Sequence, residues 1–236
     1  MATPTTKYRI KRDIKEFMKC PPHGIFGVPD EEDFMVFHAI IVGPDETPYE
    51  KGLFYFVVTF PNDYPHSPPS VKFMTTGGGT VRMNPNLYSC GKVCLSILGT
   101  WSGPSWSAIQ SPSSVLISIQ SLLNENPYHN EPGHEKERFQ GASRQYNEVI
   151  IHETLRVAVV GMVRNDSGLN IPIALEHLVQ QEFMRNIEFY EILATQKSAL
   201  SGNIILDPLF PLPVESSFKY NELLLDLQSL KKQLGG

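Results

Sequence analysis

Cysteine and long hydrophobic runs are both scarce in this chain. The 236 residues include three cysteines, Cys20, Cys90 and Cys94, and so small an odd number fits no disulfide framework. The longest apolar run, residues 53–60, is far too short to cross a bilayer, and no hydrophobic signal region follows the first residues. We therefore expect a soluble protein of a reducing compartment, the cytoplasm or the nucleus, with no membrane partner.

Positive charge is limited as well. The chain has 20 Lys and Arg residues against 25 Asp and Glu residues, a formal net charge of −5. General nucleic-acid binders usually present a basic surface, so no nucleic-acid partner is predicted. Hydrophobic residues make up 41% of the chain, and its length is sufficient for one large domain or for a domain with an extension.

Cys90 and Cys94 form a Cys-x3-Cys pair, which is compatible with half of a zinc site or with a redox pair. No second pair of ligands stands at a suitable spacing. We therefore predict no metal site, and we interpret Cys90 as an inert, exposed thiol.

Residues 84–98 combine a stiff loop with a candidate nucleophile. Pro85 stiffens an Asn-Pro-Asn loop, Cys94 follows Asn86 by eight positions, and apolar residues anchor the chain after it. A nucleophile has to be held in place close to a group that can stabilise an oxyanion. Cys94 is thus the candidate nucleophile, and the side chain of Asn86 is the obvious candidate donor.

The string Asn-Pro-Asn, then eight positions to Cys, then Leu-Ser-Ile-Leu, resembles the active-site segment of ubiquitin-conjugating enzymes. That family usually has His at the first position of the tripeptide, where it braces the loop. The presence of Asn84 therefore affects the expected rigidity of the loop more than the expected reactivity of Cys94. The resemblance implies that Asn86 stabilises the oxyanion or holds the loop that does so. Further strings of the family precede the loop in the expected order: Gly43-Pro44, Thr47-Pro48-Tyr49-Glu50, Tyr64-Pro65 and Pro68-Pro69.

The residue patterns predict an α+β protein. Apolar residues at helical spacing follow Thr3-Pro4, and apolar runs over 34–42, 53–60 and 70–74 predict three strands of an antiparallel meander. Helical patterns follow Ser111 and recur over 134–163 and 173–199. The resemblance implies the ubiquitin-conjugating-enzyme fold, an N-terminal helix, an antiparallel β-meander and C-terminal helices. We assign residues 4–165 to this core domain and residues 166–236 to a helical C-terminal extension.

The extension ends in an amphipathic pattern. Pro208, Pro211 and Pro213 indicate a linker, and five leucines then fall at helical spacing, namely Leu223, Leu224, Leu227, Leu230 and Leu234. The last helix either docks on the body of the protein or holds a partner, and we favour docking.

The first helix has one apolar and one basic side. The apolar stripe consists of Ile10, Ile14, Phe17 and Met18, and the basic side consists of Lys7, Arg9, Lys11, Arg12 and Lys15. The basic side is either a solvated surface or a docking surface for an acidic partner. The resemblance implies docking, because the first helix of ubiquitin-conjugating enzymes meets the activating enzyme.

Residues 128–133 form the next candidate functional loop. They are either a plain surface loop or the wall of the groove opposite Cys94. In the family this stretch lies across the groove and often offers an acidic residue to the incoming amine. The resemblance therefore implies that His129, Asn130 or Glu131 lines the groove.

The resemblance also implies the reaction and its partners. Cys94 would accept ubiquitin as a thioester from a ubiquitin-activating enzyme and, with a ubiquitin ligase, transfer it to a lysine of a protein substrate. ATP is used upstream, and the conjugating enzyme itself needs no cofactor. Residues 92–101 and 124–133 resemble one branch of the family. That branch pairs with the alternative activating enzyme, which also loads a two-domain ubiquitin-like modifier. His66 and Ala108 stand at the ligase-facing positions where common members have Phe and Pro, which predicts weak or selective use of RING-type ligases.

Two other classes of function stay open. A cysteine hydrolase would use Cys94 with His129 and needs a contact between the imidazole and the thiol. A non-catalytic scaffold would bind the modifier only, but family variants of that kind lack the cysteine that this chain retains.

Overall fold

The first helix, α1, spans Pro4–Lys19 in a computed structural model that describes residues 2–211 and 216–235. The Thr3 hydroxyl accepts a hydrogen bond from the Thr6 backbone N–H at 3.2 Å, and Pro4 occupies the first turn. The stripe Ile10, Ile14 and Phe17 is buried, as expected. Met18 was wrongly placed on it: this residue of the last turn is 50% exposed and lines a shallow groove beside α1.

A four-stranded antiparallel sheet follows, with its strands in sequence order. The strands are β1 (Ile25–Pro29), β2 (Val36–Val42), β3 (Leu53–Thr59) and β4 (Ser70–Phe73). Three of them confirm the predicted meander. The first strand was missed because Gly and Pro are poor strand formers, and β1 contains one of each. A Cβ atom on Gly27 would lie only 2.4 Å from the ring of Phe37, so the sheet requires glycine at that position.

Both faces of the sheet are buried, which explains why its strands read as almost continuous apolar runs. Phe37 and Phe56 belong to the cluster that also contains the buried stripe of α1. Ile40 and Tyr55, which pair in register, belong to a second cluster on the opposite face. The alternation of side chains along each strand thus supplies two cores at once.

The helix α2 (Pro112–Gln120) begins where the sequence predicted, with Ser111 in a capping box and Pro112 in the first turn. The next helical stretch begins at Ala142 and not near 134. It comprises α3 (Ala142–Glu153), a π-helical segment (Thr154–Gly161) and α4 (Met162–Arg164). Gly141 adopts a left-handed φ of 90° before it, and the Glu137 carboxylate accepts hydrogen bonds from the backbone N–H of Gly141 and Ser143.

The C-terminal helices complete the two cores. Helix α5 (Ile173–Gln196) covers the outer face of the sheet with Leu175 and Val179. Helix α6 (Tyr220–Leu234) packs on α5 and on the π-helical segment through Leu223, Leu227 and Leu230. Docking of the last helix on the body is therefore confirmed. The domain boundary at residue 165 stays a prediction.

Residues 203–211 and 216–219, which we call the strap, run between α5 and α6. The proline-rich part was expected to be a linker, but the strap is packed: Ile205 is buried, and Phe210 lies against the main core. The Ile205 N–H donates to the Ser216 carbonyl at 2.8 Å. Pro213 lies outside the described residues. Within the described part of the chain, no helix is long and apolar enough to cross a membrane.

Candidate active site

Asn84 is the centre of the loop that precedes Cys94. Its side chain is fully buried, and its Nδ2 donates to Tyr49 Oη and to the Leu122 carbonyl, both at 2.8 Å. Its Oδ1 accepts the backbone N–H of Asn86 at 2.9 Å. The Asn84 side chain thus supplies two donors and one acceptor that brace the loop. The loop is therefore rigid at Asn84, the position at which the sequence had put its rigidity in question.

Asn86 and Cys94 are joined by two reciprocal hydrogen bonds. The Cys94 N–H donates to the Asn86 carbonyl at 2.9 Å, and Asn86 Nδ2 donates to the Cys94 carbonyl at 3.0 Å. The amide of Asn86 is therefore engaged with the backbone of Cys94. Of the two roles expected for Asn86, this geometry favours that of holding the loop.

The chain after Cys94 is also fixed. Thr100 Oγ1 accepts the Leu95 N–H at 2.9 Å and donates to the Val93 carbonyl at 2.7 Å. A short 3-10 helix, Ser96–Leu98, then carries Ile97 into the core. The backbone is thus held on both sides of Cys94, and because the residue is only 1% exposed its thiol is covered.

The loop around 128–133 approaches the active-site loop with two of its three candidate residues. Asn130 Nδ2 donates to the Leu122 carbonyl at 3.1 Å and lies 3.4 Å from Asn84 Oδ1. Glu131 lies 3.4 Å from the guanidinium of Arg82. His129 is exposed, and its Nδ1 donates to the His134 carbonyl at 2.6 Å. Asn130 and Glu131 are thus joined to this site, whereas His129 is engaged within its own loop.

No hydrogen bond joins a histidine to the Cys94 thiol within residues 2–211 and 216–235. That finding counts against the hydrolase interpretation, which needs such a contact. Over the same residues, no group of three or more His, Cys, Asp or Glu side chains is arranged to hold a metal ion. The cysteines are unpaired, with Cys20 and Cys90 exposed.

Arg82 is a site residue that the sequence analysis missed. Its guanidinium carbon lies 3.8 Å from the ring centroid of Tyr88 on one side and 3.8 Å from that of Phe210 on the other. Its Nη2 donates to the Pro85 carbonyl at 2.6 Å. Nothing in the local pattern pointed to this contact, because Phe210 is far along the chain from Arg82.

Comparison with known proteins identifies the family to which this chain belongs. The family model described as ubiquitin-conjugating enzyme matches residues 9–152, more than half of the chain. The chain belongs to the ubiquitin-conjugating enzyme family. The matched region contains the sheet and the loop that holds Cys94, so the fold and the enzyme class expected from the resemblance are confirmed.

The curated relatives agree over most of the chain. It is 52% identical over 226 residues to ubiquitin-conjugating enzyme E2 Z of Xenopus tropicalis, covering 96% of this chain and 71% of that protein. For ubiquitin-conjugating enzyme E2 Z of Homo sapiens, the values are 50% over 231 residues, 98% and 64%. It is also 44% identical over 168 residues to human dual E2 ubiquitin-conjugating enzyme/E3 ubiquitin-protein ligase BIRC6, covering 67% of this chain and 3% of that protein.

As in the family pattern, α1 presents basic residues to solvent, but Arg9 is an exception. Four of the five residues on the predicted basic side are exposed, namely Lys7, Lys11, Arg12 and Lys15. Arg9 Nε forms an ion pair with both carboxylate oxygens of the buried Asp13, at 2.8 and 2.7 Å. It also donates to the carbonyls of Ala108 and Gln110, both at 2.9 Å. Arg9 therefore ties α1 to the loop before α2, and its guanidinium is largely used inside the molecule.

The two expected ligase-facing positions lie on adjoining loops. His66 and Ala108 are both exposed. Trp106 Nε1 donates to the Pro65 carbonyl at 2.8 Å, which joins the two loops. Ile109, next to Ala108, is 87% exposed. The surface at this corner of the ubiquitin-conjugating fold is thus partly apolar, although it has neither Phe nor Pro at the expected positions.

Proposed function

We propose that Cys94 accepts ubiquitin as a thioester from a ubiquitin-activating enzyme and transfers it to a lysine of a protein substrate. The observation that carries this proposal is the reciprocal pair of hydrogen bonds between Asn86 and Cys94 within the region matched to the family. These bonds fix the backbone that bears the thiol. A nucleophile that accepts and passes on an acyl group needs such support.

The reaction consists of two acyl transfers. The Cys94 sulfur attacks the carbonyl carbon of the modifier's C-terminal glycine, the new S–C bond forms, and the thiol of the activating enzyme leaves. The lysine amine then attacks the same carbon, an amide forms, and the Cys94 thiol is released. Because Cys94 is 1% exposed, neighbouring side chains have to move aside when the loaded activating enzyme docks.

In this scheme, the loop residues position the reacting groups. Asn86 holds Cys94 in place, and Asn84 holds Asn86. Asn130 and Glu131 line the opposite wall and orient the lysine amine. The contribution of Asn86 can be separated into its two expected roles. A bracing role predicts that Asn86→Ala lowers stability together with both transfers, whereas an oxyanion role lowers the rates alone.

Thioester formation is the decisive test. The protein would be incubated with ATP, ubiquitin and a ubiquitin-activating enzyme and examined on a non-reducing gel. We expect a band shifted by one ubiquitin that reductant removes and that Cys94→Ser converts to a reductant-resistant ester. Cys90→Ser, which removes an exposed cysteine close in sequence, is the matched control and should load normally.

Two other experimental outcomes would support other functions. Absence of the shifted band from folded protein with every activating enzyme would contradict the proposal and favour a scaffold that only binds the modifier. Cleavage of ester or peptide substrates by Cys94 in the absence of an activating enzyme would favour the hydrolase.

We also propose that the partner is the alternative activating enzyme, which additionally loads a two-domain ubiquitin-like modifier. The similarity to E2 Z proteins over nearly the whole chain supports this choice. The exposed residues of the predicted basic side of α1 would form the docking surface: Lys7, Lys11, Arg12 and Lys15. Parallel loading with the two activating enzymes tests the choice, and loading by the ordinary enzyme alone would contradict it.

Ligase use and location complete the proposal. His66 and Ala108 support weak or selective stimulation by RING-type ligases, because they replace Phe and Pro of common members. Discharge of the loaded protein with and without a generic RING domain tests this, and strong stimulation would refute it. The unpaired cysteines support a reducing compartment, the cytoplasm or the nucleus.

A further inference from the structure

The guanidinium of Arg82 connects three parts of the molecule that are distant in sequence. It donates to the Pro85 carbonyl of the active-site loop at 2.6 Å and lies 3.4 Å from Glu131 of the 128–133 loop. One face lies 3.8 Å from the ring of Tyr88, and the other lies 3.8 Å from the ring of Phe210 in the strap. Phe210 therefore closes the open side of the group that contacts the loop before Cys94.

The strap holds Phe210 in a defined place. Asp207 Oδ1 accepts the backbone N–H of Leu209 at 2.8 Å and that of Phe210 at 3.0 Å, which fixes the turn. Gln145 of α3 donates to the Leu206 carbonyl at 2.8 Å. Tyr146, also on α3, meets the Phe210 ring edge-on with centroids 6.3 Å apart. The position of the ring thus depends on contacts between the strap and the core.

From this geometry we infer that Arg82 is a positioning residue for transfer from Cys94 and that Phe210 of the strap sets its position. The inference rests on the proposed function of Cys94. The Arg82 side chain is 20% exposed, and cation–π attraction is stronger where the cation is partly desolvated. The planar guanidinium stacks and donates at the same time, which an ammonium group does not do.

A chain of direct contacts connects Phe210 to the reacting group. Arg82 holds the Pro85 carbonyl, Pro85 lies between Asn84 and Asn86, and Asn86 is bonded twice to Cys94. Without the Phe210 ring, one face of the guanidinium is uncovered and its hold on Pro85 loosens. Acyl transfer depends steeply on the placement of the reacting atoms, so a small displacement of the loop slows it.

Single-turnover discharge tests the inference. The protein is loaded with ubiquitin, loading is stopped, and loss of the thioester to free lysine is followed over a series of lysine concentrations. Phe210→Leu keeps an apolar side chain and removes the ring, whereas Phe210→Tyr keeps the ring. Phe218→Leu is the matched control, because Phe218 is on the same strap but packs on His152 and Tyr220.

We expect Phe210→Leu to lower the maximal rate of discharge by about tenfold, in line with the loss of one cation–π contact. The half-saturating concentration of lysine and the yield of loading should not change. Phe210→Tyr should restore the rate, and Phe218→Leu should discharge like the wild type. If Phe210→Leu fails to fold, Arg82→Lys, which keeps the charge without the stacking plane, should show the same loss.

Two results would overturn the inference. One is discharge of folded Phe210→Leu at the wild-type rate, and the other is as large a loss of activity in Phe218→Leu as in Phe210→Leu. A wild-type protein that never loads would contradict the proposed function instead. The structural half of the inference, that Phe210 fixes the active-site loop through Arg82, is then decided by hydrogen exchange of the Cys94 N–H, which donates to the Asn86 carbonyl. Its protection should fall in Phe210→Leu but not in Phe218→Leu, and equal protection in both would refute it.

Discussion

At the scale of single residues, the buried side-chain amide of Asn84 connects the active-site loop to the core by several hydrogen bonds. Its three short hydrogen bonds reach Tyr49, Leu122 and Asn86, so it ties the loop to two separate parts of the core. A buried polar group that loses its partner costs about 1–3 kcal/mol. The residue is therefore important for stability as well as for the placement of Cys94.

Replacing Asn84 by leucine tests that view. Asn84→Leu conserves size but leaves the Leu122 carbonyl and the Asn86 N–H without this partner, so we expect a loss of about 2–4 kcal/mol in the free energy of unfolding. Urea denaturation measures it. The control is Asn62→Leu at an exposed position, expected to change stability by less than about 0.5 kcal/mol. Equal effects of the two substitutions would show that the loop is held by other contacts.

The residues of this site differ in how far the sequence reveals them. Asn86 and Cys94 lie eight positions apart, and a local motif was sufficient to pair them. The Arg82–Phe210 contact was not predictable, because it depends on how the strap returns to the core after two helices. Arg9 was assigned to a docking surface from its charge and the family resemblance, since its ion pair with the buried Asp13 appears only in three dimensions.

At the scale of elements, the end of α3 and the end of the strap are joined by a buried polar group. His152 Nδ1 donates to Glu153 at 2.8 Å, and its Nε2 accepts the Lys219 N–H at 3.0 Å. Arg156 also donates to Glu153. Burial works to raise the pKa of Glu153, but the hydrogen bonds from His152 and Arg156 and the positive charge of Arg156 hold it below the usual value.

This lowered pKa predicts a specific acid sensitivity. A carboxyl group whose pKa is lower in the folded state than in the unfolded state contributes stability above the unfolded value of about 4.3, and this contribution disappears as the pH falls through the folded value. We expect Glu153→Gln to flatten the fall of stability below about pH 4.3. Urea denaturation over a pH series measures it, with exposed Glu31→Gln as the control. Parallel curves for the wild type and Glu153→Gln would exclude this contribution.

Packing of α6 is a second property of an element. Leu227 has no exposed surface, whereas Leu225, two positions earlier in the same helix, is 67% exposed. We expect Leu227→Ala to lower the free energy of unfolding by about 2–5 kcal/mol, because it leaves a cavity against α5 and the π-helical segment. Leu225→Ala should lie within about 0.5 kcal/mol of the wild type. Similar small effects of both substitutions in urea denaturation would contradict the docked position of α6.

Regular periodicity decided which elements could be predicted. The stripe of α1 and the leucines of α6 repeat at helical spacing, and both helices are present as expected. Strand β1 lacks a clear signal because Gly27 and Pro29 interrupt it, and it is fixed by its pairing with β2. The start of α3 was predicted too early because Gly141 and the Glu137 cap set it, and neither changes the apolar spacing of the pattern.

At the scale of the whole molecule, α5 makes the predicted extension part of the core. Tyr55 Oη donates to the Asn170 carbonyl at 3.1 Å, and Tyr190 Oη donates to the Lys51 carbonyl at 2.9 Å. Both bonds cross the boundary assigned at residue 165. The apolar strands had indicated buried positions but not which later helix buries the outer face, because that choice depends on tertiary packing.

These shared contacts predict that the chain unfolds as one unit. Both tryptophans, Trp101 and Trp106, precede residue 165, so their fluorescence follows the predicted core, whereas far-ultraviolet circular dichroism is dominated by helices on both sides of the boundary. If Leu175 and Val179 of α5 are integral to the sheet's packing, the two signals should give the same urea midpoint. Earlier loss of the helical signal would mean that the extension detaches first, and the packing of α5 on the sheet would then contribute little to the stability of the site.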